Sequence, residues 1–332
     1  MSKSKPYIYT ETAFHHQGDI LYLKKLIETT KESGANGIKF QIILDLNYLT
    51  STKHTAFNTL KTFVFNEIQW LEILNYASSL YLDIIFMPLD LLSFNLIDLM
   101  KIKPKYLEIH PVCFYDKEII RLIKKSKLPT IVGIGGRDEF EIETMTNELN
   151  NQLEVLMVGF QSFPSKLEDV KIARIAYYKN KYPNLTIGYA DHSAFNDEYA
   201  ISSNDYAYLL GARIFEKHFT ITEGENRVDY DSAVSKDKLI KIINNLNTLH
   251  NITTINETEL LELDIPEINY RNRQKVIVAN RVIEEGEIIS ENDITLRMIN
   301  KENGMVNFNN IIGKTTTEKI DNDDIITLDK IK

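Results

Sequence analysis

The stretch PYIYTETAFHHQGDILYLKKLIETTKESGANGIKFQ (Pro6–Gln41) sets the pattern for most of the chain. Its lead, PYIYT, is aromatic and β-branched and reads as a short strand. A carboxylate, two adjacent histidines and a Gln-Gly-Asp turn follow. From Ile20 to Ser33 the apolar residues Ile20, Leu23, Leu26 and Ile27 recur at helical spacing, and Gly34 supplies the stop. GIKFQ then reads as a second buried strand, carrying Lys39 and Gln41 at its end.

Working outward, the same alternation recurs. Helix NEIQWLEILNYASSL precedes strand DIIFMP, and helix LLSFNLIDLMKI precedes YLEIHP. KEIIRLIKKS leads to PTIVGIGG, DEFEIETMTNELN to EVLMVGF, LEDVKIARIAYYKNK to LTIGYADH, and DEYAISSNDYAYLLG to RIFEKHF. A last helix, KDKLIKIINNLNTL, completes eight βα units. Short, apolar, β-branched strands are those of a parallel sheet covered on both faces. Eight such units in about 250 residues predict a closed (β/α)8 TIM barrel over residues 1–253. An open doubly wound sheet is the rival, but no Gly-x-Gly-x-x-Gly turn follows the first strand. The glycine-rich GIGGR (Gly133–Arg137) comes only after the fifth.

Residues 254–273 turn polar and irregular, as a linker would. Residues 274–332 carry strand-like runs and two related blocks, EEGEIISENDI and IDNDDIITLDKI, which predict a small β-rich domain with a thin core.

Composition narrows the function. The chain has 332 residues, 43% apolar and 26% charged, and a formal charge of −9. That balance argues against nucleic-acid binding, which needs a cationic face. The single Cys113 excludes an internal disulfide and suits a reducing cytoplasm. No signal core or membrane span is apparent in the sequence.

Barrel chemistry lies at the C-terminal strand ends. Those ends offer Glu11 with His15 and His16, Lys39 with Gln41, Asp90, Glu108 with His110, Gln161 with Phe163, Asp191 with His192, and Lys217 with His218. His192 and His218 end consecutive strands, so their imidazoles are candidates for one catalytic divalent metal; otherwise each bonds a loop. Glu11 is a candidate general base or partner of a metal-bound water, or an ordinary loop carboxylate. A lysine ending a buried strand is costly without an anion, and a ligand carboxylate or phosphate would supply one for Lys39. His15 and His16 form a second candidate metal pair, unless they face different ways.

These residues fall in motifs that resemble the sialic acid (N-acetylneuraminate) synthases and their nonulosonate relatives, over nearly the whole chain. ETAFHHQGD resembles the family's Glu-Ile-Gly-x-Asn-His-x-Gly-Asp, and GANGIKFQ its GADAVKFQ. MPLDLLS is similar to STPFDLES, FPSKLEDVKI to YPTPPEDVNL, GYADHS to GYSDHT, and EKHFTI to EKHFTL. RVDYDSAVS aligns Asp229 with a family aspartate, and IEEGEIISENDITLR resembles KKGEVITEENIRVKR. The resemblance implies a TIM barrel with a C-terminal antifreeze-like (SAF) domain. It implies condensation of phosphoenolpyruvate with an N-acetylated amino-sugar aldehyde, with release of phosphate. By the same resemblance His192 and His218 would hold Mn²⁺ or Mg²⁺, and Glu11 would handle protons or the metal-bound water. Lys39 and Gln41 would meet the anionic three-carbon cosubstrate, while Gln161, Phe163, Asp191 and Asp229 would line the substrate site. Arg297 would reach the sugar across a domain-swapped homodimer.

Several positions depart from the family pattern. Glu108 stands where the family has lysine, and Pro111, Gly133, Gly135 and Ala190 replace or displace polar contacts. Three readings follow: a divergent synthase in which GIGGR replaces lost phosphate donors, a metal-dependent aldolase or lyase whose three-carbon unit carries no phosphate, and a sugar-binding homologue without turnover.

Overall fold

In the computed structural model, which describes residues 4–159, 162–299 and 304–332, Tyr7–Glu11 forms strand β1. Ile20–Ser33 is helical: Asp19 accepts from the amides of Leu21 and Tyr22, and Gly34 ends the helix at φ 85°. Gly18 makes the turn between them possible, because its φ is 81° and a Cβ there would collide with the Thr62 carbonyl. Strand β2 (Gly37–Ile42) lies parallel to β1 with Lys39 opposite Glu11.

The unit then repeats. Strands β3 (Asp83–Pro88), β4 (Tyr106–Ile109), β5 (Thr130–Gly133), β6 (Leu153–Gly159), β7 (Thr186–Asp191) and β8 (Ile214–His218) follow in order. Each pairs parallel with the next, and β8 closes on β1 with His218 opposite Glu11. This is the (β/α)8 barrel that the alternation predicts. Side chains alternate along each strand. Ile38 and Phe40 of β2, Phe86 of β3, Leu107 of β4 and Phe215 of β8 face outward and pack with helix residues such as Leu23, Leu26, Ile73 and Leu74. Tyr9, Ile85, Ile131, Val155, Met157 and Ile214 fill the inside below the mouth. Each such fully buried aliphatic side chain contributes about 1.5–3 kcal/mol.

Two helices are shorter than their sequence pattern. LLSFNLIDLMKI is helical only over Phe94–Leu99. The Asp90 carboxylate accepts from the amides of Leu44, Asp45 and Ser93, tying the start of this segment to the neighbouring loop before the helix begins. LEDVKIARIAYYKNK breaks into Leu167–Val170 and Arg174–Lys181, with Lys171 left-handed between them at φ 50°.

The chain divides into two compact units, residues 1–254 and 255–332. The stretch 254–273, read from sequence as irregular, carries short helices Glu257–Leu261 and Ile265–Arg271. Each opens on a capping box, Asn256 with Glu259 and Asp264 with Glu267. In the second unit β9 (Val276–Ala279) pairs antiparallel with β10 (Ile294–Arg297) over an isoleucine-rich core of Ile277, Ile283, Ile289, Ile311, Ile320 and Ile326. Its two related blocks do adopt related shapes. Gly286 and Asp323 are both left-handed, at φ 84° and 69°, and each leads to a 3-10 turn, Glu291–Asp293 and Leu328–Lys330. Among the described residues no helix is long and apolar enough to cross a membrane.

Candidate active site

Strand alternation decides which groups reach the barrel mouth. Glu11 of β1, Lys39 and Gln41 of β2, Glu108 of β4, His192 just after β7, and Glu216 and His218 of β8 all line one cavity of about 250 Å³. His110, Phe163 and Asp229 are also in its wall.

One side of the cavity is a candidate metal centre. His192, Glu216 and His218 each offer a ligand atom, and these atoms lie within 4.8 Å of one another. Glu216 and His218 are two residues apart on one strand and so share a face. The two rings stand 4.9 Å apart, and Phe163 sets its edge against both, at 4.8 Å from His192 and 5.6 Å from His218. Burial lowers the pKa of His192 to about 4 and that of His218 well below its ordinary value, so both imidazoles are neutral at physiological pH and keep a lone pair. His192 Nδ1 is buried and has no hydrogen-bond partner among the described residues. Neutral nitrogens, one of them unpartnered, beside a carboxylate fit a borderline or hard divalent ion.

The other side is a charge cluster. Lys39 Nζ stands 2.5 Å from Glu11, 2.7 Å from Glu216 and 3.0 Å from Glu108, all buried. The Tyr9 hydroxyl lies 2.7 Å from Glu216 and 3.2 Å from Glu108, with room to donate to either. Glu11 is also held from behind, accepting from the Ala13 amide at 2.6 Å. Burial would lower the lysine pKa, but Glu108 and Glu216 outweigh it and hold it above its ordinary value. Burial pushes Glu108 up to about 7; Lys39 opposes this and Glu216 adds to it. Glu216 is itself buried, yet Lys39 and then His192 keep it below the usual carboxylate range. The sequence left the anion beside Lys39 to a ligand; the chain itself supplies anions there, and Lys39 also lines the cavity. Its counter-charges are three carboxylates of the chain.

The placing of Asp191 in the substrate site is corrected. It faces outward, away from the cavity: its carboxylate accepts from the Ser193 amide and hydroxyl, from Asn204 Nδ2 and from Lys217 Nζ at 3.0 Å. Burial would raise its pKa, but Lys217 and Ser193 hold it below the ordinary range. Asp191 and Lys217 are register partners in β7 and β8, each directly preceding a histidine of the mouth. This polar pair clamps the two strand tips from the outer face. The adjacent histidines diverge. His15 bonds the Val228 carbonyl and the Thr220 hydroxyl, whereas His16 accepts from the Gly18 amide and stacks on Phe65. Neither joins the metal cluster.

Asp229 lines the cavity with its backbone left-handed at φ 60°, and burial raises its pKa to about 6. His110 accepts from the Val112 amide, and burial lowers its pKa to about 4. Gln161 lies outside the described residues. Arg297 pairs with Asp323 and contacts Asn280 within the second unit. Glu216 and Tyr9 were not singled out from sequence. Glu216 was within reach, since it sits two residues before His218 on a strand.

Comparison with known proteins places this geometry. Residues 26–257 match the family model described as NeuB family, and residues 274–332 match the model described as chaperone for flagella basal body P-ring formation. The chain is 24% identical to an N,N'-diacetyllegionaminic acid synthase of Campylobacter jejuni over 97% of this chain and 99% of that protein. It is 25% identical to a pseudaminic acid synthase of the same species, over 87% of this chain and 86% of that protein. A solved structure of a spore coat polysaccharide biosynthesis protein E from Chromobacterium violaceum superposes with a TM-score of 0.82 at 16% identity, covering 99% of this chain and 100% of that one.

Proposed function

Because the chain belongs to the NeuB family, we propose that its barrel mouth holds a divalent ion and joins a three-carbon carboxylic acid to an (N-acetyl)amino-sugar aldehyde, giving a sialic-acid-like nonulosonate. The observation that carries this reading is the convergence of His192, Glu216 and His218 on one point of the cavity wall. These three residues would hold the ion, manganese or magnesium, which when bound supplies Lewis-acid polarisation of the aldehyde oxygen. Phe163 packs edge-on against the two histidines and would fix their ring planes. Asp229, with its carboxyl raised to about 6, retains a proton in mildly acid solution and is placed to bond sugar hydroxyls or the acetamido group. Gln41 offers an amide to the three-carbon acid, and Glu11 holds or moves a proton beside the reacting atoms.

The names of the relatives support a nonulosonate product, and phosphoenolpyruvate, with release of inorganic phosphate, is the donor that the sequence motifs imply. One observation favours a second form of the reaction. Among the described residues lining the cavity, the lone permanent cation is Lys39, and three carboxylates already surround it. A donor without phosphate fits that environment better. Incubation with Mn²⁺, N-acetylmannosamine and either phosphoenolpyruvate or pyruvate separates the two: phosphate release identifies the first, pyruvate consumption the second. Binding of Mn²⁺ and sugar with neither turnover would refute catalysis. A cytoplasmic, domain-swapped homodimer, with Arg297 of one copy serving the mouth of the other, belongs to the same reading. A monomer by light scattering would refute that part.

A further inference from the structure

We propose that His15 is a positioning residue for the sugar end of the site: it latches the loop that follows β8 and so sets Asp229 on the cavity wall. The proposal rests on the reading of Asp229 as a group that bonds the sugar.

Asp229 does not fix itself in place. It lines the cavity, yet among the described residues no donor bonds its carboxyl, and burial alone raises its pKa to about 6. Its backbone is left-handed, at φ 60°, a conformation that a residue with a Cβ keeps only when its surroundings impose it. The carboxyl is therefore aimed by the backbone, and the backbone by its neighbours in the loop.

Two of those neighbours grip one residue. Val228, directly before Asp229, accepts at its carbonyl from His15 Nδ1 at 2.7 Å. Arg227 donates from Nη1 to the His15 carbonyl at 3.3 Å. A carbonyl only accepts, so Nδ1 carries the proton, and in the neutral ring Nε2 is left as an acceptor. It stands 2.9 Å from the hydroxyl of Thr220, two residues past the end of β8. The ring is buried, and burial lowers its pKa, which keeps it neutral. Arg227 is committed on its other sides as well. Its guanidinium lies 3.6 Å from the centre of the Tyr22 ring, on the helix Ile20–Ser33, and its Nε is 2.7 Å from Glu225.

The loop is tied again beyond Asp229. The Phe195 amide donates to the Asp231 carbonyl at 2.8 Å, and Ser232 Oγ to the His192 carbonyl at 2.9 Å. These later ties do not involve His15, and they face the metal side of the cavity. Loss of the His15 ring therefore frees the left-handed turn on one side only. Asp229 relaxes from the wall while His192, Glu216 and His218 keep their places. In the family pattern that ETAFHHQGD resembles, asparagine stands where this chain has His15. An asparagine Nδ2 can donate from the place of the histidine Nδ1, so the bond to Val228 is the part both residues can make. The contact with Thr220 is what the imidazole adds.

The test is calorimetry on the full chain loaded with Mn²⁺, titrated with a panel of N-acetylated amino sugars led by N-acetylmannosamine. His15→Gln, whose amide reaches toward Thr220 rather than Val228, is expected to weaken sugar binding at least about tenfold. His15→Asn, whose amide reaches Val228, is expected to stay within about threefold of wild type. In an Asp229→Ala background, His15→Gln should change the affinity less than about twofold, because both substitutions remove the same contact. Mn²⁺ affinity, read by electron paramagnetic resonance, should stay within about threefold in both His15 variants, which a loss of folding would not allow. Without sugar, trypsin should cut after Arg227 at least about tenfold faster in His15→Gln than in wild type. Full sugar affinity in His15→Gln, equal losses in the Gln and Asn variants, additive losses in the double variant, or a matching loss of Mn²⁺ affinity each overturns the inference and leaves the family reading standing. A wild-type protein that binds Mn²⁺ but none of these sugars overturns it too, and removes the reading of Asp229 beneath it.

Discussion

Replacing Lys39 by methionine keeps the reach of the side chain and removes its charge. The ammonium stands 2.5, 2.7 and 3.0 Å from three buried carboxylates. At an effective dielectric of about 20, each contact gives roughly 5–7 kcal/mol of gross attraction. Repulsion among the acids and desolvation of all four groups cancel most of this, and removing one partner from a buried pair costs about 3–5 kcal/mol. Metal-free K39M is therefore expected to lose about 3–5 kcal/mol at about pH 8. The loss should shrink as the pH falls through about 7, because Glu108 then takes up a proton and the cluster sheds charge. Trp70, the chain's one tryptophan, is buried in the barrel unit, so urea unfolding followed by its fluorescence reports on that unit. A loss under about 1 kcal/mol at about pH 8, or an equal loss at about pH 5.5, would show that Lys39 is not the charge holding the three acids together.

His192→Ala and His218→Ala are each expected to weaken Mn²⁺ binding by at least about 100-fold in calorimetry, and unchanged affinity would remove the cluster as the metal centre. Glu108 is raised from 4.5 to about 7 on folding, so it contributes stability that is fully present below 4.5 and is lost as the pH rises through about 7. Glu108→Gln should flatten the urea stability profile across that window by up to about 3 kcal/mol, and a parallel profile would contradict the assignment. Asp191→Ala leaves Lys217 buried and unpaired, which is expected to cost about 3–5 kcal/mol and to loosen Mn²⁺ binding about 10–100-fold. Full Mn²⁺ affinity in that variant would show that the outer pair does not position the histidines.

The barrel was legible because helical spacing and short β-branched runs are local signals. The helix Ile20–Ser33 shows this most clearly, since its apolar spacing, its Asp19 cap and its Gly34 stop all agree. His192 and His218 were legible for a related reason, as the tips of consecutive strands. The same alternation carries more than was taken from it. If His192 faces in, Asp191 faces out; if His218 faces in, Glu216 does too. The partners of Lys39 lie beyond any such rule. Glu108 and Glu216 come from β4 and β8, separated from β2 by distances across the barrel interior that depend on strand tilt and stagger. A lysine in a buried strand such as Lys39 thus pointed to an anion but could not say whose. The polar segment 254–273 hid two capping boxes, Asn256–Glu259 and Asp264–Glu267, because composition masked the spacing.

The pair that clamps β7 to β8 lies on the side of the sheet turned toward the helices, while the groups that would greet a sugar line the cavity on the inner side. Support for the two histidines and contact with a guest are therefore set on opposite faces of the same strands. On the proposed reading, a substitution among the cavity-lining groups that leaves Asp191 and Lys217 paired would change the guest and spare the support behind His192 and His218.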